Sequence, residues 1–548
     1  MSKLLRFCCL LFFIYFCTGC LGARHTYRKH QAIISKQTKK GNFDEVKYII
    51  TRKSFHHTEE DYLLKNLETG MYLFNTKKYC QAIDHFDEAY ETTKLQQSTD
   101  ITSGVSSWFG TGLDIYYGKI YELSLIRFFN SLANYYVFNE KRCDKYQYLL
   151  HSKVSRHNVG IFEKQLNKQD LEQKFSASRA NIIEWDSFLK GRHITKDDRY
   201  YSESLLQKIW GAFIHEQRGT ISDRQIALQL YKDAKDVALN RYAVYNEFNK
   251  KSQTYIANLD KIASRKLYVD NENKYVNNIN VFADKQIERL KENKIANFSI
   301  LIFNDLISER KAERVNVPVN IFFKHNSPLA DIASMIGVYN VSFEAPYMYN
   351  KKITDDYFYI LKNKKTKKTI TNKITLIEPV SNIAYTDYLQ TRASIMSLIV
   401  SKISNNFSAC VYHTLAYNRN AEVVMLNRTQ NYSYFKYMDA FFSDNLNSID
   451  NNTFRLNRRL SEVKYNCSII LNNNDKIDVR QWVSLPSNIF MTTDKIEDGE
   501  YSIEIIRRDE NGIDTTIKTQ DFVIKDGNTI FIQVLDYDNE NIIPKLKQ

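Results

Sequence analysis

The most regular helical pattern in the chain is GMYLFNTKKYCQAIDHFDEA, residues 70–89. It alternates small residues with large apolar ones at helical spacing, and the positions that carry the pattern are Gly70, Tyr79, Ala82, Phe86 and Ala89. A glycine and two alanines let antiparallel helices approach closely, while the aromatic rings fill the space between them. The stretch therefore predicts a pair of tightly packed helices.

This spacing is that of a tetratricopeptide repeat (TPR), and one such repeat cannot bury its apolar face without neighbours. The candidate neighbours are residues 41–46 with Ile49 and Ile50 upstream, and Trp210-Gly211 with Ala227, Tyr231 and Ala234 downstream. Residues 125–150, between them, are helical in pattern. We expect residues 20–238 to form a TPR-like helical repeat domain, followed by a helical cap or linker over residues 239–293.

The apolar period changes from helical to alternating near Asn297. The predicted strands that follow cover residues 298–303, 315–321, 357–361, 467–471, 501–506, 516–524 and 529–534. One helix over residues 386–404 interrupts them, and residues 417–463 are interpreted as an Asn-rich insertion. The expected fold class is α+β, with an N-terminal α-helical TPR-like solenoid and a mostly antiparallel β-rich domain over residues 294–540.

The N-terminus has the pattern of a secretory signal: a basic start, an apolar run over residues 7–16, then Cys17-Thr18-Gly19-Cys20. A cysteine after a small pair is typical of a bacterial lipobox. We expect residues 1–19 to be a lipoprotein signal peptide and Cys20 to carry a lipid that anchors the chain to a membrane. Leu21 favours the outer membrane of a Gram-negative cell, facing the periplasm. An ordinary cleaved signal and an uncleaved anchor are the alternatives, although the run is about half a bilayer span.

The 548-residue chain has a formal net charge of +13 and only 6 prolines. Such a positive charge can favour nucleic-acid binding, but the sequence has no zinc finger, RNA-recognition signature or basic heptad region. An exported protein meets anionic lipid, lipopolysaccharide and cell wall first. We therefore expect no nucleic-acid partner, and we keep peptidoglycan or an anionic glycan as an alternative ligand.

Beyond the lipobox, the remaining cysteines are Cys80, Cys143, Cys410 and Cys467. An oxidising compartment permits disulfides, and the local pairing would join Cys80 to Cys143 and Cys410 to Cys467. Four buried free thiols are the alternative. None of these four cysteines lies in a CxxC spacing, which argues against a redox or zinc role for them.

The segment Asp478-Val479-Arg480-Gln481-Trp482-Val483-Ser484-Leu485-Pro486 resembles the Asp-x-Arg-x-Trp-x-x-Leu-Pro motif of a known family. With the repeats and residues 117–122, it makes the chain similar to TPR-type lipoproteins of Gram-negative bacteria, which pair helical repeats with a C-terminal β-rich domain. Lys119 and the insertion depart from that pattern. The resemblance implies an envelope lipoprotein and brings no catalytic residues with it.

Four positions of this motif are candidate site residues: Asp478, Arg480, Trp482 and Pro486. On a strand the first three would face one side, where Arg480 can pair with Asp478 and lie against the Trp482 ring. That arrangement would be a structural anchor that leads into Pro486. Ligand binding is the alternative.

Other patterns that suggest chemistry are weak. His215-Glu216 begins like a zincin motif, but Gly219 stands where the second ligand is needed. The pair His56-His57 beside acidic residues could bind a metal weakly, and an exposed linker is the simpler interpretation. Five lysines over residues 362–368 suggest a solvated loop or a contact with anionic glycan or lipid phosphate. We therefore expect no catalytic residues, no metal and no cofactor.

The leading hypothesis is a non-catalytic scaffold in the cell envelope, whose helical repeats present a concave surface to a protein partner. The second is a structural lipoprotein that binds cell wall or lipopolysaccharide through its basic surface. The third is a cell-wall enzyme, which would need a cleft with two carboxylates or a nucleophile beside a histidine.

Overall fold

The computed structural model of this protein describes residues 29–52, 61–99, 116–146, 161–191, 203–239, 272–323, 327–349, 355–416, 449–472, 477–525 and 527–537. The predicted signal peptide, the lipidation residue Cys20, the pair His56-His57 and residues 417–448 of the predicted insertion lie outside the described residues.

The N-terminal half is mainly helical. Its helices are α1 (29–39), α2 (Phe43–Ile50), α3 (Tyr62–Asn75), α4 (Tyr79–Thr99), α5 (Ile120–Glu140), α6 (Lys168–Gly191), α7 (Leu205–Arg218), α8 (Ile221–Val237) and α9 (Glu272–Lys291). From α2 to α9, each helix packs against the next one along the chain. The sequence order of the helices is therefore also their order of packing.

The helices of residues 70–89 meet at a glycine. A Cβ atom on Gly70 of α3 would lie 2.6 Å from the Phe86 ring of α4, so no larger residue fits between them. Gly211 of α7 has the same role, since a Cβ there would lie 2.9 Å from Ile182 of α6. The other predicted packing positions are also buried: Tyr79, Ala82, Phe86, Ala89, Ala227, Tyr231 and Ala234.

A β-hairpin interrupts this helical half at a place where the sequence pattern predicted helix up to residue 150. That prediction was wrong, because Lys141 adopts a left-handed backbone conformation (φ 59°) that ends α5. β1 (Arg142–Tyr146) then pairs with the antiparallel β2 (Ile161–Gln165). A disulfide joins Cys143 of β1 to Cys80 of α4 and holds the hairpin against the helices.

The C-terminal half contains the remaining elements. Its strands are β3 (Phe298–Leu306), β4 (Arg310–Pro318), β5 (Asn340–Met348), β6 (Asp356–Asn363), β7 (Thr369–Glu378), β8 (Pro486–Asp494), β9 (Gly499–Arg508), β10 (Asp514–Ile524) and β11 (Ile530–Asp536). The helices between them are α10 (Val319–Phe322), α11 (Pro328–Met335), α12 (Val380–Ala416) and α13 (Ile449–Leu471).

Seven strands form one sheet in the order β10-β9-β6-β7-β8-β3-β11. All neighbouring pairs are antiparallel except β3 and β11. The two edge strands lie close enough for a side chain to connect them: Lys518 of β10 donates a hydrogen bond to the carbonyl oxygen of Gln533 of β11 at 3.0 Å. The sheet therefore curls around one apolar cluster that all seven strands line.

The other face of this sheet packs against the helices. Phe303 of β3 lies 5.6 Å from Phe129 of α5, measured between ring centroids. Phe531 of β11 lies 5.5 Å from Tyr135 and 6.0 Å from Trp210. Helices and sheet thus share one buried cluster, which we call the main core. The predicted boundary near residue 294 separates helices from strands in sequence, but the two halves are packed together.

A second cluster forms what we call the small lobe: the β4–β5 hairpin, α10, α11, α13 and the distal part of α12. The 37-residue α12, about 55 Å long, belongs to both bodies. Its Leu389 is buried in the main core, whereas Ile395, Ile399 and Ile403 are buried in the small lobe. A disulfide joins Cys410 of α12 to Cys467 of α13.

Three expectations for this lobe differ from the structure. The helix predicted over residues 386–404 is present but extends further at both ends, as α12. The strand predicted over residues 315–321 ends at Pro318, because Val319–Phe322 form α10. Residues 467–471, predicted as a strand, are the last turn of α13, because Val463, Cys467 and Leu471 recur every four residues and are all buried. Residues 449–463 of the predicted insertion are also helical.

The chain is therefore an α+β protein with a large, mostly antiparallel sheet. Among the described helices, none combines the length and the apolar character that crossing a membrane requires.

Candidate functional site

Residues 477–485 connect the two cores. The first of them pack in the small lobe and the last of them in the main core. Their backbone is irregular until β8 begins at Pro486, so the expectation of a strand with three side chains on one face was wrong. We call this segment, with the side chains that hold it, the junction.

Arg480 is held by carboxylates on both sides. Its Nη2 lies 2.7 Å from Asp478 Oδ2 and its Nη1 lies 2.7 Å from Asp61 Oδ1, just before α3. The pairing with Asp478 agrees with the expectation from sequence. The guanidinium, however, lies over the ring of Tyr116 at 5.7 Å from its centroid, and the contact predicted with Trp482 is not the one formed.

Trp482 is fully buried between the helices of the main core. Its ring centroid lies 5.8 Å from that of Phe129 and 6.2 Å from that of Phe86, the residue that also packs on Gly70. The indole Nε1 donates a hydrogen bond to Ser484 Oγ at 3.1 Å. The motif tryptophan therefore belongs to the same packing layer as the predicted helix pair.

Two buried glutamates bind the backbone of the junction. Glu122, near the start of α5, accepts hydrogen bonds from the main-chain N–H of Trp482 at 2.9 Å and of Lys119 at 2.6 Å. Glu68 of α3 accepts from the main-chain N–H of Val483 at 2.8 Å. Burial raises the pKa of Glu68 to about 7. Each carboxyl thus satisfies a main-chain donor that would otherwise be buried without a partner.

A third contact ties the junction to the base of the small lobe. Arg310, at the start of β4, pairs with Asp387 of α12 at 2.8 Å. The Arg310 main-chain N–H donates to Gln481 Oε1 at 3.0 Å, and Gln31 of α1 donates to the Gln481 carbonyl oxygen at 3.2 Å. Two elements from distant parts of the sequence, α1 and β4, therefore meet at Gln481, and Arg310 links α12 to them.

Lys119, which precedes α5, lies beside this network. Burial lowers the pKa of its ammonium to about 8, while the nearby Asp387 carboxylate acts in the opposite direction. A lysine with a lowered pKa is a candidate nucleophile or base. The charges that act on Lys119 are Asp387, Arg310, Glu122 and Asp478, which also hold the junction. Lys119 is therefore part of an ion network that connects the junction to the helices.

The chemistry of the junction is that of an anchor. General acid–base catalysis requires a carboxyl group that faces the substrate. Glu122 and Glu68 instead direct their oxygens at the protein's own main chain, and Asp478 and Asp61 direct theirs at Arg480. These groups recognise one segment of this chain, and their geometry explains why the segment follows an irregular path.

The His215-Glu216 pair is divided between two structural networks. His215 Nδ1 lies 2.9 Å from Asp223 Oδ1, and Thr220 donates to the same carboxylate at 2.5 Å. Glu216 pairs with Arg289 of α9. In a catalytic relay the hydroxyl would bond to the imidazole, whereas here it bonds to the carboxylate and caps α8. Within the described residues, no group of three or more His, Cys, Asp or Glu side chains could hold a metal ion.

The remaining predicted sites lie far apart in the fold. The lysine run of residues 362–368 forms the exposed turn between β6 and β7, where Lys364 pairs with Asp521 at 2.6 Å. The cysteines form the two pairs expected from their spacing, Cys80 with Cys143 and Cys410 with Cys467. Each disulfide lies within one of the two bodies, and neither is part of the junction.

Sequence reasoning missed the partners of the motif: Glu68, Glu122, Arg310 and Asp387. One signal could have revealed the glutamates, since Glu68 and Glu122 are single acids within apolar helical runs. A carboxylate on a buried helix face requires a donor from elsewhere in the fold. No pattern in the sequence indicated which segment supplies that donor.

Comparison with known proteins found no match: no protein-family model, no curated protein and no solved structure matches this chain.

Proposed function

We propose that this chain is a lipid-anchored lipoprotein of the bacterial envelope that acts as a non-catalytic scaffold for a protein partner. The anchor rests on the sequence of residues 3–20, a basic start and an apolar run that end in Cys17-Thr18-Gly19-Cys20. The scaffold proposal is supported by the buried charged groups of the fold: Glu68, Glu122 and the Arg310–Asp387 pair bind other parts of the same chain.

The observation that carries the export part of this proposal is the pairing of the cysteines. The Cα atoms of Cys80 and Cys143 lie 5.6 Å apart, and those of Cys410 and Cys467 lie 5.8 Å apart. Both distances fall in the range of native disulfides. Because disulfides persist in oxidising compartments and are rare in the cytosol, two such pairs support a location beyond the inner membrane.

The surface available to a partner differs from the one expected. The aromatic side of α5 and α7 is covered by Phe303 and Phe531 of the chain's own sheet. A concave helical surface on that side is therefore already occupied. A partner must bind to surfaces that the main core leaves exposed, including the edges of the sheet and the outer helix faces.

The anchor is tested by metabolic labelling of the full chain with an alkyne analogue of palmitate. We expect labelling and membrane fractionation for the wild-type chain, loss of both for Cys20→Ser, and no change for the matched control Cys17→Ser. A non-reducing gel after thiol alkylation should show four protected cysteines. Unlabelled protein in the cytosol would overturn the proposal.

The scaffold is tested by chemical cross-linking in intact cells, followed by affinity purification from detergent-solubilised envelopes. The Cys20→Ser variant is the control, since it removes the chain from the membrane surface where the partner is expected. We expect a discrete cross-linked species that the control lacks. Identical patterns from both would contradict a scaffold that works at the membrane.

One observation favours the second candidate, binding to cell wall or lipopolysaccharide. The lysines of the β6–β7 turn, Lys362, Lys364, Lys365, Lys367 and Lys368, are all exposed. We expect salt-sensitive co-sedimentation with purified peptidoglycan if this turn binds anionic polymer. Reversing Lys365, Lys367 and Lys368 to Glu should abolish it, whereas Lys311→Glu on β4 should not. Equal sedimentation of both variants would exclude the turn.

A further inference from the structure

The two edges of the curled sheet belong to strands that follow each other in sequence. β10 and β11 are joined by residues 525–529 and run antiparallel, as the chain of strand pairings from β10 to β11 requires. Antiparallel strands with so short a connection usually pair as a hairpin. Here β10 pairs with β9 and β11 pairs with β3, so each of them has an edge that no strand in the described part of the chain covers. We call the space between these edges the seam.

The seam is wider than the spacing of paired strands. Paired strands lie about 4.8 Å apart, whereas few Cα atoms of β10 and β11 come within 8 Å of each other. One side chain crosses the space: Lys518 Nζ donates to the Gln533 carbonyl oxygen at 3.0 Å. A long lysine stem thus occupies a position where a main-chain N–H of a paired strand would lie. The register of β10 against β9 shifts between Thr516 and Lys518, next to this contact.

The charge at the seam is positive. Burial lowers the pKa of Lys518 to about 8, and the positive charge of Lys77, in the turn between α3 and α4, acts in the same direction. Within the described part of the chain, neither lysine forms an ion pair with a carboxylate. A half-buried ammonium beside a second one is stabilised by an incoming anion.

The two walls of the seam offer apolar contacts as well. Ile517 and Phe522 of β10 and Ile530 of β11 are partly buried against the apolar cluster inside the curl. On the outside, Val523 of β10 is 43% exposed. An extended chain that entered here would place alternate side chains against this cluster and the others towards solvent.

We propose that the seam binds an extended segment of a partner protein, with alternating apolar and acidic side chains, which pairs with the free edges of β10 and β11. The main-chain groups of the two edges would supply affinity, and Lys518 and Lys77 would select for the acidic side chains. This inference rests on the proposed scaffold function and names the class of segment that the partner carries.

Lysines and bulges on edge strands also have a protective use, because they discourage pairing with other chains. The two roles predict opposite effects for Lys518→Ala. If Lys518 only protects the edge, its removal should strengthen binding of any extended peptide. If Lys518 recognises an acid, its removal should weaken binding of acidic peptides.

The test uses the full chain in detergent and two fluorescein-labelled ten-residue peptides, one of alternating Val and Glu and one of alternating Val and Lys. We expect the Glu peptide to bind at least tenfold more tightly by fluorescence anisotropy. Lys518→Ala and Lys518→Glu should weaken this binding at least tenfold, Lys77→Glu about threefold, and the control Lys311→Glu not at all. The bound peptide should slow hydrogen exchange of β10 and β11 amides and leave β4 and β5 unchanged.

Three outcomes would overturn the proposal: equal binding of the two peptides, stronger binding to Lys518→Ala, or binding without protection of β10 and β11. Circular dichroism of each variant identifies any that fails to fold, and Lys77→Glu, on an exposed turn, provides a second variant for that case. Palmitate labelling and cross-linking of the wild-type chain test the scaffold without assuming where the partner binds, so failure of the scaffold and failure of this site are distinguishable.

Discussion

The main core and the small lobe are stabilised in different ways. The main core buries three tryptophans completely, Trp185, Trp210 and Trp482, and it holds its irregular segment with buried carboxylates. The small lobe has a largely aliphatic core closed by the Cys410–Cys467 disulfide. On its surface, Tyr465 is 88% and Ile469 is 70% exposed. A large core supplies its own stability, whereas a small one gains most from a covalent link.

The difference also shows how the two bodies stay together. α12 enters both cores, and the junction binds the start of β4 through Arg310, Asp387 and Gln481. Damage to the main core should therefore spread into the small lobe. Damage to the small lobe should stay local, because the main core has its own sheet and helices.

The largest effect is expected from Trp482→Ala. Truncating a fully buried tryptophan between Phe86 and Phe129 should lower the free energy of unfolding by about 4 kcal/mol. Loss of hydrogen-exchange protection should extend over α3–α5, β8 and the small lobe. The matched change is Phe407→Ala, which removes a ring stacked on Phe323 at 5.6 Å.

For Phe407→Ala we expect lost protection in β4, β5 and α11–α13 only. The comparison of the two bodies would fail if both variants lost protection over the same residues. It would also fail if Trp482→Ala destabilised nothing outside residues 477–485.

A smaller effect is expected from removing the disulfide of the small lobe. The double variant Cys410→Ser, Cys467→Ser opens a link between residues 57 apart, which should cost about 3 kcal/mol. Because the core of this lobe is small, the loss should appear as local opening of α13 and the distal part of α12. Hydrogen exchange measures it directly.

The matched control is Cys80→Ser, Cys143→Ser, which opens a link between residues 63 apart. The loop lengths are similar, so the entropic terms are similar as well. We expect the control to retain protection in α3 and α4, which also pack through Gly70 and Phe86. Equal local opening in both double variants would show that the two bodies do not differ in their need for a covalent link.

The smallest effect depends on pH. Burial raises the pKa of Glu68 from 4.5 to about 7, so the folded chain binds this proton more tightly than the unfolded chain. The resulting stability is present in full below pH 4.5 and is lost as the pH rises through about 7. Glu68→Gln stays neutral, so above pH 7 its free energy of unfolding should exceed that of the wild type.

Urea unfolding of the wild type and Glu68→Gln between pH 4.5 and 8 measures this difference. A gap between the two curves that widens with pH is expected. Glu122→Gln is the contrasting variant. Each carboxylate oxygen of Glu122 accepts a main-chain N–H bond, so the amide nitrogen of a glutamine would replace an acceptor and face an N–H donor. A constant gap for Glu68→Gln would show that its carboxyl is ionised throughout.

Much of the local structure could be predicted from the sequence. The spacing of Gly70, Ala82 and Phe86 describes a contact between neighbouring helices, and short-range patterns of this kind depend on few other residues. The strand at residues 501–506 alternates clearly and is found in β9, and the apolar run at residues 298–303 is found in β3. The prediction failed for residues 467–471 because a short apolar run fits both periods, and Val463 had to be included to see the helical one.

The sequence alone determined that the chain is α+β, that helices precede the sheet, and which small residues allow close helix packing. Only the tertiary structure decided that the sheet covers the helices, that Glu68 and Glu122 bind residues 482–483, and that β10 and β11 face each other unpaired. The physical reason is distance along the chain. Helical and strand periods arise from neighbouring residues, whereas Glu68 and Glu122 bind segments hundreds of residues away, and β11 pairs with a strand more than two hundred residues before it.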